Sequence, residues 1–200
     1  MTSAEAACDW LCNPEAQVSA HYLIARDGHS IQMVDEAHRA WHAGAGQWGA
    51  ITDVNSHSIG IELDNDGSSP FSEPLLSALE ALLAAVMDRW SIPPAGVIGH
   101  SDMAPGRKID PGPRFDWRRL ARQGLAIWPD AEPDLPPDAA RFEAALSRFG
   151  MTHPADAATR LAAFRSRFRP GASGPLATAD MALAQTLADR FGVDARPASA

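Results

Sequence analysis

Two apolar runs, His21–Ala25 (HYLIA) and Ser30–Val34 (SIQMV), flank Arg26-Asp27-Gly28-His29, and this arrangement constrains the fold more than any other stretch. Asp-Gly between two such runs is a strong hairpin signal, because the tight turn needs a positive φ that glycine adopts without steric cost. The spacing predicts a pair of antiparallel strands. Ser58–Leu63 (SIGIEL) alternates enough to be a third strand, and it carries Glu62. Pro74–Trp90 places Leu75, Leu76, Leu79, Leu82, Leu83, Val86 and Met87 at helical spacing, with its proline in the first turn. Ahead of the hairpin, Thr2-Ser3-Ala4-Glu5 has the spacing of a capping box and opens a short helix through Leu11 that Asn13-Pro14 ends. Ala95–Gly99 (AGVIG) reads as a short buried strand, and a brief helix is expected near Asp116–Gln123.

A chain of 200 residues has room for one medium domain and a small one. The apolar periodicity stops at Pro129–Pro137 (PDAEPDLPP), where prolines and acids favour an extended linker. Beyond it lie three helical patterns, Asp138–Phe149, Ala155–Phe168 and Thr178–Phe191. They suit a small three-helix module, whose limited core should dock on the preceding domain. The expected organisation is therefore a domain over 1–128, a linker over 129–137 and a helical module over 138–200.

The 17 basic and 25 acidic residues give a net charge of −8, with no cluster of cations to offset it, so nucleic acid is excluded as a partner. No apolar stretch is long enough to span a membrane. Met1–Leu11 lacks the basic start and apolar core of a signal peptide, which favours the cytoplasm. Cys8 and Cys12 are four apart on a predicted helix, a poor geometry for a mutual disulfide, and read as small buried hydrophobes.

The chemistry concentrates in Gly99–Gly112 (GHSDMAPGRKIDPG), which packs His100, Asp102, Arg107, Lys108 and Asp110 into one segment punctuated by proline and glycine. An imidazole and a carboxylate held by stiff turns are ligand types that zinc takes, and a lysine beside them stabilises developing negative charge. The same residue types also suit a charged surface loop in which His and Asp cap turns. Lys108 is the sole lysine of the chain, all other basic side chains being arginine.

Four segments in order, SAHYLIARDG (Ser19–Gly28), RAWHAG (Arg39–Gly44), NSHSIGIEL (Asn55–Leu63) and GHSDMAPGRKIDPG, resemble the zinc-dependent N-acetylmuramoyl-L-alanine amidases of the AmpD/AmiD type, relatives of peptidoglycan recognition proteins. The resemblance covers roughly residues 1 to 128. Through AFRSRFRP (Ala163–Pro170), the C-terminal helices resemble the small peptidoglycan-binding module that often follows such a domain. The resemblance implies an α/β fold, a mixed central sheet flanked by helices, with a catalytic zinc in a groove. It places zinc ligands on His100 and Asp110, the catalytic glutamate on Glu62 and the catalytic lysine on Lys108. Trp41, His42, Asn55 and Arg107, with Asp102, are implied either as groove residues that meet sugar and peptide carboxylates or as groups supporting the groove from behind; a satisfied histidine, a core aromatic and turn caps are the competing readings of the same residues. His21, at a strand start, is expected to pack rather than to ligate. The implied reaction is hydrolysis of the amide between N-acetylmuramic acid and L-alanine in peptidoglycan or muropeptides by a monomeric enzyme. Non-catalytic recognition of the same polymer is the competing expectation.

The family's first zinc histidine lies on a strand before the first helix, in a motif that this sequence does not contain; Met1 falls about where that motif would end. The expectation from this departure is that the natural protein carries one more strand and one more ligand ahead of Met1. On that expectation zinc binding by the 200 residues is weak and turnover slow. A leader lost with that segment would place the protein in the envelope instead.

Overall fold

The computed structural model describes residues 3–130 and 135–193. The chain divides into two compact units, one of Met1–Ala45 with Asp53–Pro93, the other of Gly46–Thr52 with Pro94–Ala200. Residues 131–134 of the expected linker, the termini of the chain and the Thr2 position of the expected capping box lie outside the described residues.

The first unit is built on a three-stranded sheet of β1 (Tyr22–Ile24), β2 (Ser30–Gln32) and β3 (Ile61–Leu63) in the order β2-β1-β3. β1 pairs antiparallel with β2, Leu23 opposite Ile31, and parallel with β3, Leu23 beside Glu62. The sheet is therefore mixed, with the hairpin where the Asp-Gly signal puts it. At the turn Gly28 adopts φ +91°, and a Cβ there would meet the Pro74 carbonyl oxygen at 2.8 Å. Helix α1 (Ala4–Leu11) is capped by Ser3, whose side chain accepts from the Ala6 amide, and sets Ala4 and Ala7 against Leu23. Helix α2 (Glu73–Trp90) buries Leu75, Leu76, Leu79, Leu83 and Val86, while Leu82 and Met87 are half-buried. The cysteines are free, Cys8 half-buried and Cys12 exposed at the C-cap of α1, which corrects the expectation that both are buried.

The middle of this unit is tied by Glu36. Its carboxylate accepts from Tyr22 Oη (2.6 Å), Trp90 Nε1 (2.6 Å) and the fork of Arg89, and its side chain is only 10% exposed. The hydrogen bonds from Arg89 hold this carboxyl down at about 2, against the cost of burial and with help from Tyr22 and Trp90.

In the second unit helices α5 (Ala139–Phe149), α6 (Ala157–Phe168) and α7 (Thr178–Phe191) enclose Phe142, Leu146, Phe149, Phe164, Phe168, Met181 and Leu187. The rings meet edge to face, Phe142 on Phe164 at 5.3 Å and Trp48 on Phe149 at 5.3 Å. Ile127 is buried in the same core, so the helical core draws on residues well before position 138. Each such ring is worth about 3–5 kcal/mol against truncation to alanine. The short helices α3 (His100–Met103) and α4 (Trp117–Arg122, capped by Asp116) belong to this unit as well. Ala95–Gly99 forms no strand: Pro94–Gly96 turns as a 3-10 helix, the Val97 amide donates to the Pro94 carbonyl, and too few residues remain for a ladder. No helix among the described residues is long and apolar enough to cross a membrane.

Because the folded-state pKa of Glu36 is lowered, its contribution to stability is complete above the ordinary glutamate value and is lost as pH falls toward about 2. Urea unfolding followed between pH 6 and pH 2 is expected to show the wild-type midpoint falling more steeply than that of Glu36→Gln below about pH 5.

Candidate functional site

The site segment begins on a helix rather than at the end of a strand. Gly99 is the N-cap of α3, so His100 is its first residue and Asp102 its third. The Ser101 amide donates to the Asp110 carbonyl at 2.9 Å, folding the segment back on itself and bringing the side chains of His100 and Asp110 together. His100 Nδ1 lies 3.1 Å from Asp110 Oδ2. Arg107 Nη2 lies 3.1 Å from His100 Nε2; a guanidinium only donates, so Nε2 accepts and Nδ1 carries the proton shared with the carboxylate. His100 is largely covered, its side chain 14% exposed, whereas that of Asp110 is 57% exposed. Burial pushes the Asp110 carboxyl up, but the hydrogen bond from His100, with the charge of Lys108, outweighs it and leaves the group below its ordinary value. Lys108 is half-buried, its amide bonded to the Ala104 carbonyl at 3.0 Å.

Two ligands on one tetrahedral zinc, each about 2.0–2.1 Å from the ion, stand about 3.3 Å apart. The 3.1 Å between His100 Nδ1 and Asp110 Oδ2 matches such an edge, and an imidazole with a carboxylate is a suitable donor set. Among the described residues no group of three or more His, Cys, Asp or Glu side chains is gathered for a metal. The residues thus fit two positions of a zinc centre.

Asp102 is almost fully buried (1% exposed). Its Oδ2 accepts from the Gly99 amide at 2.8 Å and from Arg167 of α6. Arg167 was not singled out by residue type, though the sequence carried a sign of it: Arg160 and Arg167 fall seven apart on the apolar stripe of Ala163, Phe164 and Phe168, where a charge implies a buried partner.

The remaining expected residues belong to the first unit. Glu62 is the central residue of β3, on the opposite sheet face to Ile61 and Leu63. Trp41 is 52% exposed, with the Arg39 guanidinium 5.7 Å from its ring centre. Asn55 is buried, and its Oδ1 accepts from the amides of His42 (3.0 Å) and Ala43 (2.8 Å), so its side chain holds the WHAG segment in shape. The His42 ring packs edge-on to His21 at 5.5 Å, and a Cβ on Gly60 would strike it. His21 is 1% exposed; its Nδ1 accepts from the Gly60 amide at 2.9 Å, so the proton sits on Nε2 and is donated to the His38 carbonyl at 3.0 Å. Both ring nitrogens are thereby used by backbone, and His21 is neutral.

Residues 1–113 match the Amidase_2 family, described as N-acetylmuramoyl-L-alanine amidase. The chain is 35% identical to the N-acetylmuramoyl-L-alanine amidase AmiD of Escherichia coli, over 90% of this chain and 77% of that protein. It is 43% identical to the 1,6-anhydro-N-acetylmuramyl-L-alanine amidase AmpD of Escherichia coli over 52% of this chain, and spans 57% of AmpD. Among solved structures, that of Escherichia coli AmiD in complex with the substrate anhydro-N-acetylmuramic acid-L-Ala-D-gamma-Glu-L-Lys is similar with a TM-score of 0.85 at 33% identity, covering 95% of this chain and 86% of AmiD. That of Pseudomonas aeruginosa AmpDh3 with anhydromuramic pentapeptide gives 0.83 at 29% identity, covering 95% and 88%. The fold is the mixed sheet flanked by helices of these amidases, and the chain belongs to the N-acetylmuramoyl-L-alanine amidase family.

Proposed function

We propose that this protein is a zinc-dependent amidase that cleaves the bond between the lactyl group of N-acetylmuramic acid and the L-alanine of a muropeptide. The observation that carries the reading is the adjacency of His100 and Asp110 in a member of the amidase family, within a segment that also presents Lys108 and Arg107. The relatives solved with anhydromuramyl peptides support a soluble muropeptide as the substrate class.

In this reading His100 and Asp110 would hold the ion. When bound, zinc supplies Lewis acidity, lowering the pKa of a water and polarising the scissile carbonyl. Glu62 takes the proton of the attacking water and returns it to the leaving amine of L-alanine. The Lys108 ammonium donates to the oxygen that gains negative charge in the tetrahedral intermediate. Arg107, with its planar fork, pairs with a carboxylate of the stem peptide, and Trp41 offers its exposed face to a sugar ring. His42 and Asn55 shape the segment that presents Trp41. The helices over 138–200 add affinity for the wall polymer, in keeping with the resemblance of AFRSRFRP.

Release of the L-alanyl peptide from an anhydromuropeptide, followed by chromatography with added zinc, tests the roles. Lys108→Met is expected to lower kcat about 10²–10³-fold with a small change in KM. Glu62→Gln is expected to lower kcat about 10²–10⁴-fold. Unchanged kcat in either variant removes that residue from the chemistry.

Chelation is expected to abolish cleavage and zinc to restore it, and Asp110→Ala is expected to weaken zinc binding by at least about 10-fold in a calorimetric titration. Full activity in a metal-free preparation overturns the zinc reading.

A further inference from the structure

Arg167 and Asp102 form an ion pair 65 residues apart in sequence, with both side chains 1% exposed. The guanidinium does more than meet the carboxylate. Its Nη2 donates to the Val97 carbonyl at 3.2 Å while Nη1 meets Asp102 Oδ2, and the same Oδ2 accepts from the Gly99 amide at 2.8 Å. One arginine therefore grips the chain on both sides of Gly99, the residue that starts α3. The next residue is His100, and the one after it donates its amide to the carbonyl of Asp110. The guanidinium is itself fixed, stacked 3.9 Å from the centre of the Trp117 ring and 4.9 Å from that of Phe168.

Stability alone does not account for this pair. A buried ion pair contributes little net stability unless every remaining polar atom is satisfied. Asp102 Oδ1 and Arg167 Nε are both buried without a hydrogen-bond partner. The pair formed by Arg165 of α6 and Asp180 of α7 shows the contrast. Asp180 is fully buried and accepts from Arg165, Arg169 and the Ala177 amide, while Arg165 also reaches the carbonyls of Gly174 and Pro175. The satisfied pair staples helix to helix; the unsatisfied one reaches the segment that carries His100 and Asp110.

We infer that Arg167, acting through Asp102 and the Val97 carbonyl, is a positioning residue that fixes the start of α3 and so holds His100 and Asp110 at ligand spacing. The inference rests on the reading of these two residues as metal ligands. It makes the last helices part of the site's scaffold, so the segment before residue 129 is not competent without α6. Arg167 touches neither ligand side chain. It acts on the backbone that carries them, as outer-sphere partners of metal ligands do.

Arg167→Met, Asp102→Asn and the double variant, all in the full chain, separate positioning from packing. Each single variant leaves a buried charge or a buried polar group with its partner gone and is expected to lower Tm. The double variant removes both charges and is expected to regain most of the lost Tm. Two readouts are expected not to recover. The Ser101 amide, bonded to Asp110, exchanges its hydrogen about 10-fold faster than in the wild type. Affinity for Co²⁺, read from its visible ligand-field absorption, falls about 10–100-fold. Wild-type exchange at Ser101 and a wild-type Co²⁺ titration in the double variant would overturn the inference, leaving a packing role. If the double variant does not regain Tm, Arg167→Lys decides. A lysine pairs with Asp102 but lacks the fork, so faster Ser101 exchange at near wild-type Tm supports positioning and unchanged exchange opposes it. Failure of the amidase reading is seen separately, as absence of cleavage or of a cobalt spectrum in the wild type, and the exchange measurement on metal-free protein still decides the role of Arg167.

Discussion

The first unit depends on one neutral imidazole. His21 precedes β1, its amide and carbonyl bond the Gly60 carbonyl and the Met33 amide, and its ring bridges the Gly60 amide to the His38 carbonyl. Both strands that flank β1, and the segment leading to Trp41, are thereby referenced to one residue. The arrangement works in a single tautomer, with Nδ1 bare and Nε2 protonated, because one nitrogen must accept while the other donates. A protonated ring would set two hydrogens against each other at the Gly60 amide. Glu36 does similar work from the other side of β1, joining Tyr22 to the end of α2 through Arg89 and Trp90. Two polar hubs thus fix the geometry of a unit whose apolar core comes from β1 and α2.

The second unit solves the opposite problem. It has ample aromatic core, and its polar hubs sit on the core's margin, where α6 carries three buried arginines. Arg160 reaches the Met151 carbonyl at 2.6 Å, Arg165 engages Asp180, and Arg167 engages Asp102. An arginine can serve such positions because its stem packs among phenyl rings while its fork still finds planar acceptors. The C-terminal helices are thus tied to the segment that carries His100 and Asp110 at the level of individual side chains.

Much of the fold was legible in the sequence, and the limits follow a physical pattern. The hairpin at Asp27-Gly28, helix α2 and the three C-terminal helices were readable because each is specified by its own periodicity or turn residues. Ala95–Gly99 misled because a five-residue apolar run does not say whether a partner strand exists, and Pro94 had already imposed a turn. The burial of Cys12 was not legible because residue type does not show whether anything packs over the end of a helix. In the sequence, the residue types of His100, Lys108 and Asp110 already mark this segment. The contacts that shape it were not visible, because the backbone partners of His21 and Asn55 and the distant partner of Asp102 leave no local trace. Only the arginines on the apolar stripe of α6 hinted at them.

Lys108 gives the site segment a chemical label of its own. Every other cationic side chain that is not histidine is a guanidinium, and guanidinium groups do not react with the mild acylating reagents that modify ammonium groups. Apart from the terminal amine, such a reagent has a single amine to find, and that side chain lies between Arg107 and Asp110 with its backbone held by Ala104. Its rate of modification reports how open that one segment is, without any label having to be introduced.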